Sequence, residues 1–202
     1  MSVSLKKGQK VSLSKNTPSG LSKVMVGLGW EPVKKSGGGF LSALFGGFGP
    51  DYDLDASVFI LKNGKLRDEY EDLVYFGHLT HMTGAVQHMG DNLTGEGEGD
   101  DEQIFIDFKR LPSEYDRLVV VVNIYQAYER NQDFGQIRNA FIRIVDTQKR
   151  QEMCRFDLSD DYSGMTAMIF GELIKENNEW KFVAVGEGTK DRGLNDMARR
   201  YR

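Results

Sequence analysis

LVVVVNIY, residues 118–125, is apolar on both faces of an extended chain. A strand without polar alternation has protein on both sides, which predicts a central strand. Its neighbours in sequence are of the half-buried kind. Gln103–Phe108 (QIFIDF) alternates with period two, placing Ile104, Ile106 and Phe108 on one face. Further β-type runs stand at Lys23–Trp30, Asp53–Lys62 and Asp72–Gly77 on one side, and at Phe141–Val145, Glu152–Leu158, Ala167–Ile174 and Trp180–Val185 on the other. Asn177 and Asn178 separate the last two and read as a hairpin turn, because asparagine tolerates positive φ. Helical signals are few. Ser113–Asp116 after Pro112 has the makings of one turn, and Leu194, Met197, Ala198 and Tyr201 have the spacing of a short amphipathic helix. Many short strands joined by glycine-rich connections predict an all-β fold: a sandwich of two mostly antiparallel sheets with short peripheral helices.

The 202 residues suit one domain, with an inserted Gly/Phe-rich loop at 36–50, SGGGFLSALFGGFGP. Phe40, Leu41, Leu44, Phe45 and Phe48 in that loop either fold back on the body or meet a partner or membrane surface. A hydrophobic fraction of 40% is ordinary for a protein with a sizeable core. The net charge of −4 argues against nucleic acid, which requires a basic face. Cys154 is the one cysteine, so there is no internal disulfide. No apolar run reaches the roughly 20 residues of a membrane span, and no secretory signal stands at the start. A cytoplasmic protein is expected.

Two acidic stretches carry the chemistry. Gly90–Glu102, GDNLTGEGEGDDE, holds Asp91, Glu96, Glu98, Asp100, Asp101 and Glu102 with no basic residue among them. Gly95, Gly97 and Gly99 let the backbone bend so that side chains converge. Two like charges ~5 Å apart repel by roughly 3 kcal/mol at an effective dielectric of 20. A compact loop of this kind therefore implies a cation; a solvated loop that binds nothing is the competing reading. In the second stretch, DYDLDAS, Asp51, Asp53 and Asp55 share one face if the chain is extended. It is not an EF-hand, since Ala56 stands where that loop needs glycine and Lys62 where it needs a bidentate glutamate. The donors are hard oxygens, from the carboxylates, the Asn92 amide, the Thr94 hydroxyl and backbone carbonyls, and they favour Ca2+.

These stretches resemble the TerD family of tellurium-resistance and chemical-stress-response domains. The resemblance includes SVSLKKGQKVSL, VGLGW, DLDAS, GDNLTGEGEGDDE, FGQIRNAFIRIVD, AMIFGEL and EWKFVAVGEG. It implies a β-sandwich that binds calcium through these loops and acts in resistance to tellurite and other stresses. By position it assigns Asp53, Asp55 and Asp91 as ligands, with Glu96, Glu98, Asp100, Asp101 and Glu102 as the pool for the rest and Asn92 and Thr94 as contributors. The expected partners are other proteins, either related stress-response members or a membrane-associated complex. The expected mode is a non-enzymatic interaction module. The alternative is a metal-dependent, phosphoesterase-like hydrolase that uses the same carboxylates on two metals.

Other features weigh less. His78, His81 and His88 have no cysteine nearby and read as ordinary surface or loop histidines. Cys154 reads as a packed core residue rather than a reactive thiol. In Tyr125–Arg138, Phe134 and Ile137 are expected to anchor the loop to the core. No phosphate loop or nucleophile elbow is present.

Overall fold

The computed structural model describes residues 2–13, 21–32, 52–90 and 99–202. The 36–50 insertion lies outside the described residues, as do Asp51 and 91–98.

Among the described residues, twelve strands form two six-stranded sheets. In chain order they are β1 (Val3–Leu5), β2 (Lys10–Ser12), β3 (Lys23–Pro32), β4 (Leu54–Leu61), β5 (Leu73–Val74), β6 (Val86–His88), β7 (Glu102–Asp107), β8 (Arg117–Ile124), β9 (Ile137–Asp146), β10 (Gln151–Asp157), β11 (Ala167–Glu176) and β12 (Glu179–Thr189). The first sheet runs β1-β10-β9-β3-β7-β6 and the second β2-β12-β11-β8-β4-β5. All pairings are antiparallel except β1 with β10.

The apolar run at 118–124 is an interior strand, flanked by β11 and β4. Its two faces serve two clusters. Leu118, Val120, Val122 and Ile124 face the other sheet and join the main core with Val24, Val26, Leu28, Ile104 and Ile142. Val119 and Val121 face outward, where Phe59, Leu61, Ala167 and Ile169 join them under the C-terminal segment. That segment is a short helix at Leu194–Ala198 followed by a 3-10 turn at Arg199–Tyr201. Met197 and Ala198 are buried against the sheet. The Tyr201 ring lies 5.5 Å from that of Phe59, and the Leu66 N–H donates to the Tyr201 carbonyl at 2.7 Å. The spacing read from the sequence thus marks the covering face.

Asn177 and Asn178 make the β11–β12 turn with φ of 52° and 62°. Residues 72–77 form only the two-residue β5, because β4 offers it just Val58 and Phe59 and the chain turns back at Tyr75–His78. Ser113–Asp116 is a turn rather than a helix, closed by Tyr115 N–H to the Pro112 carbonyl at 3.1 Å. A helix at Ala127–Arg130 and a 3-10 turn at Phe134–Gln136 follow β8 instead. Phe134 and Ile137 are buried there, as anchors.

The excursion from β5 to β6 is held by a buried polar triad. Tyr115 donates its hydroxyl to Asp72 Oδ1 at 2.6 Å, and His81 Nε2 meets the same oxygen at 3.4 Å. Thr83 Oγ1 stands 2.7 Å from His81 Nδ1. His81 is a loop histidine but only 1% exposed, and His88, buried within β6, is neither a surface nor a loop histidine, which corrects the expectation of ordinary surface or loop histidines. Burial pushes the His81 imidazole below the ordinary 6.5, with Asp72 opposing the shift.

Two outcomes follow. Leu28→Ala, at a fully packed site, is expected to lower stability by about 2–5 kcal/mol in urea denaturation. The folded state resists protonating His81, so its contribution is complete above the unfolded value of 6.5 and falls as pH drops below it. His81→Gln should flatten the decline in unfolding free energy between about pH 7 and 5; an unchanged slope would show that His81 is not the group responsible.

Candidate functional site

The 90–102 loop links β6 to β7 in the first sheet, and the 51–57 stretch leads into β4 of the second. Burial alternates along β7, so Glu102 faces inward with Ile104 and Ile106. On β6, His88 and Val86 face the same way. The result is a polar clasp between the sheets. Glu102 Oε2 accepts the Ala56 N–H at 2.7 Å, and His88 Nε2 donates to the Ala56 carbonyl at 3.2 Å. His88 Nε2 is also 3.5 Å from Glu102 Oε2, and Nδ1 accepts the Gly90 N–H at 3.1 Å. Both side chains are 0% exposed. The two stems of the acidic loop are thereby held on the N–H and C=O of one residue, Ala56, in the strand that carries Asp55.

The acids around this clasp point three ways. Asp100 lies on the outer face of the first sheet, where Arg143 grips it with Nε to Oδ1 at 2.7 Å and Nη2 to Oδ2 at 2.9 Å. Gln103 Nε2 adds a contact at 3.4 Å. Gln103 and Arg143 flank Gly27 in register, and a Cβ on Gly27 would sit 2.4 Å from the Asp100 carboxylate. This is the physical content of VGLGW: Val26, Leu28 and Trp30 face the core while Gly27 leaves space for Asp100. Asp101 Oδ2 accepts the Trp30 N–H at 2.8 Å, and burial raises its carboxyl above the ordinary range against that bond. Glu102 serves the clasp.

The other stretch faces the opposite side. Asp55 is 5% exposed on the outer face of the second sheet and accepts from Asn123 Nδ2 at 3.4 Å, its cross-strand partner. Asp53 is half-buried, and its carbonyl accepts the Tyr125 N–H at 2.8 Å. Among the described residues, no three His, Cys, Asp or Glu side chains gather closely enough to hold an ion. Asp91, Asn92, Thr94, Glu96 and Glu98 lie outside the described residues.

His88, Asn123 and Arg143 stand beyond the expectations drawn from the sequence. Asn123 had a signal, as the polar residue within an otherwise apolar strand. Arg143 and His88 had none, since their partners lie far along the chain or across the sandwich. His81 and His88 are structural, and Cys154 is sealed in the core with its thiol pushed up to about 12 by burial. That closes thiolate chemistry at ordinary pH.

The TerD domain model matches residues 1–201. The chain belongs to the TerD family. It is 55% identical over 201 residues to the stress response protein SCP2 of Bacillus subtilis, covering 100% of both chains. It is 48% identical over 189 residues to tellurium resistance protein TerD of Serratia marcescens, covering 93% of this chain and 91% of that one. A solved homologue of TerD from Streptomyces coelicolor superposes with a TM-score of 0.61 at 23% identity, over 85% of this chain and 92% of the other, and shares the fold. No described helix of this TerD-family chain is long and apolar enough to cross a membrane.

Glu102→Ala strips the Ala56 amide of its buried acceptor. It should destabilise by about 1–3 kcal/mol in urea denaturation. Asp160→Asn, at an exposed pair with Lys7, should change stability by less than about 1 kcal/mol.

Proposed function

We propose that this chain is a calcium-binding, non-enzymatic interaction module of the cytoplasmic stress response, of the tellurite-resistance type its relatives are named for. The observation that carries this reading is the clasp at Ala56. It anchors both stems of the 90–102 loop beside β4, which holds Asp55 and directly follows Asp53. The acidic stretches, about 40 residues apart in sequence, start from one end of the sandwich.

The donor set fits a hard cation. Asp53 and Asp55 supply carboxylates, and Asp91, Asn92, Thr94, Glu96 and Glu98 extend the supply of oxygens. Asp100, Asp101 and Glu102 are engaged with Arg143, the Trp30 amide and the Ala56 amide, so in this reading they shape the site rather than ligate the ion. Calcium supplies charge neutralisation there, drawing together carboxylates that otherwise repel. Both ring nitrogens of His88 are taken, which leaves the hydrolase alternative without its nearest general base.

An ion that binds only the folded form stabilises it by mass action, by about 2.7 kcal/mol at one hundred times its Kd. Calorimetric titration of chelator-stripped protein should give heat with Ca2+, with magnesium as a weaker competitor. Melting temperature should rise in millimolar calcium and return on adding chelator. Asp53→Asn and Asp91→Asn should weaken both effects, and Asp160→Asn neither. A flat titration with an unmoved melting curve would sink the proposal.

A further inference from the structure

The outer face of the second sheet is covered by the C-terminal segment over its apolar half only. Beside that cover runs a groove of about 1120 Å3. Its floor is Asp55, Ser57 and Asn123, which are 5%, 0% and 7% exposed. Ser57 Oγ has no hydrogen-bond partner among the described residues. A buried hydroxyl left unsatisfied is costly to the fold, and such groups are few in native proteins. Its placement on the floor points to a ligand that completes it.

We propose that this groove receives an arginine- or lysine-bearing segment of a partner protein. The charge on the floor is a carboxylate, Asp55, beside an amide and a hydroxyl that can each accept a hydrogen bond. The rim is aromatic and exposed: Tyr70 is 88% exposed, Phe76 45% and Tyr125 39%. Ring faces attract a cation within about 6 Å. Aromatic rings at the groove's border already pair with guanidinium groups: Arg130 lies 5.2 Å from the lining Tyr125 ring, and the lining Arg192 lies 5.6 Å from the ring of Tyr128, just outside the groove. An anionic occupant is disfavoured: Arg199 is paired with Asp196 and Arg202 with Glu69, the remaining lining arginine, Arg192, is offset in charge by Glu129, and Asp55 leaves the lining net negative. The volume exceeds the roughly 300–1,000 Å3 of a small-molecule pocket and suits an extended segment.

This inference shares Asp55 with the calcium reading but does not rest on it. The test is a two-dimensional NMR titration of chelator-stripped protein with a glycine-serine peptide carrying two arginines, against the same peptide with citrulline in their place. Citrulline keeps the shape and removes the charge. The arginine peptide should shift the Asn123 and Gln126 side-chain amides, and the citrulline peptide should bind about tenfold more weakly, the loss of a charge-assisted hydrogen bond. Ser57→Val, which covers the floor, should weaken binding about tenfold. Tyr70→Ala, at a site too exposed to affect folding, should weaken it about threefold. Equal binding of the two peptides, shifts confined to another face, or no shift at millimolar peptide would overturn the proposal. A protein that binds the arginine peptide and no calcium upholds this inference and removes the calcium reading; one that binds calcium and no peptide does the reverse.

Discussion

A carboxylate with no exposure to water has to find its partners inside the protein, and Glu102 finds them across the sandwich. It continues the inward row of Ile104 and Ile106, so the hydrophobic register of β7 carries it to the interior whatever its charge prefers. The Ala56 N–H answers it from the other sheet, and His88 binds the Ala56 carbonyl beside it. These bonds are directional, whereas apolar contacts between sheets tolerate sliding. A hydrophobic replacement of similar shape can match such a buried polar group in stability. What the clasp adds is position: one residue of β4, Ala56, is tied through its N–H and C=O to both stems of the 90–102 loop.

The same geometry explains how far the sequence could be read. The core was legible, because burial on both faces of 118–124 and alternation along 103–107 are local patterns. The Leu194, Met197, Ala198 and Tyr201 spacing was legible for the same reason, as were Asn177 and Asn178. The strands β1, β2 and β6 were not, being three residues long and stabilised by pairing with segments far along the chain. Val3–Leu5 lies parallel to Cys154–Phe156, a pairing that no periodicity announces. At the site, composition marked the acidic stretches but not their commitments. Asp100, Asp101 and Glu102 are adjacent in sequence, yet they meet Arg143, Trp30 and Ala56 on three different strands. Only tertiary structure assigns those partners.

Those commitments change the electrostatics of the acidic end. From the sequence, nine carboxylates in two stretches press on one region with no cation among them. In the folded chain Asp100 is neutralised by a bidentate arginine on the far side of the first sheet, with its side chain 0% exposed. Asp101 is held by a backbone amide, and Glu102 lies between the sheets. Like charges ~5 Å apart cost about 3 kcal/mol per pair at an effective dielectric of 20, so removing three of them from the cluster is a large relief for a fold of ordinary stability. In the proposed site the other six acids of the two stretches, Asp51, Asp53, Asp55, Asp91, Glu96 and Glu98, are the candidate ligands. Calcium takes six to eight oxygens, many of them carbonyls and water, and so needs only some of these. Gly27 belongs to this economy, because the space it leaves is what lets Asp100 turn toward Arg143 and away from the others. The acids that the fold withdraws therefore shape the proposed site as much as its candidate ligands do.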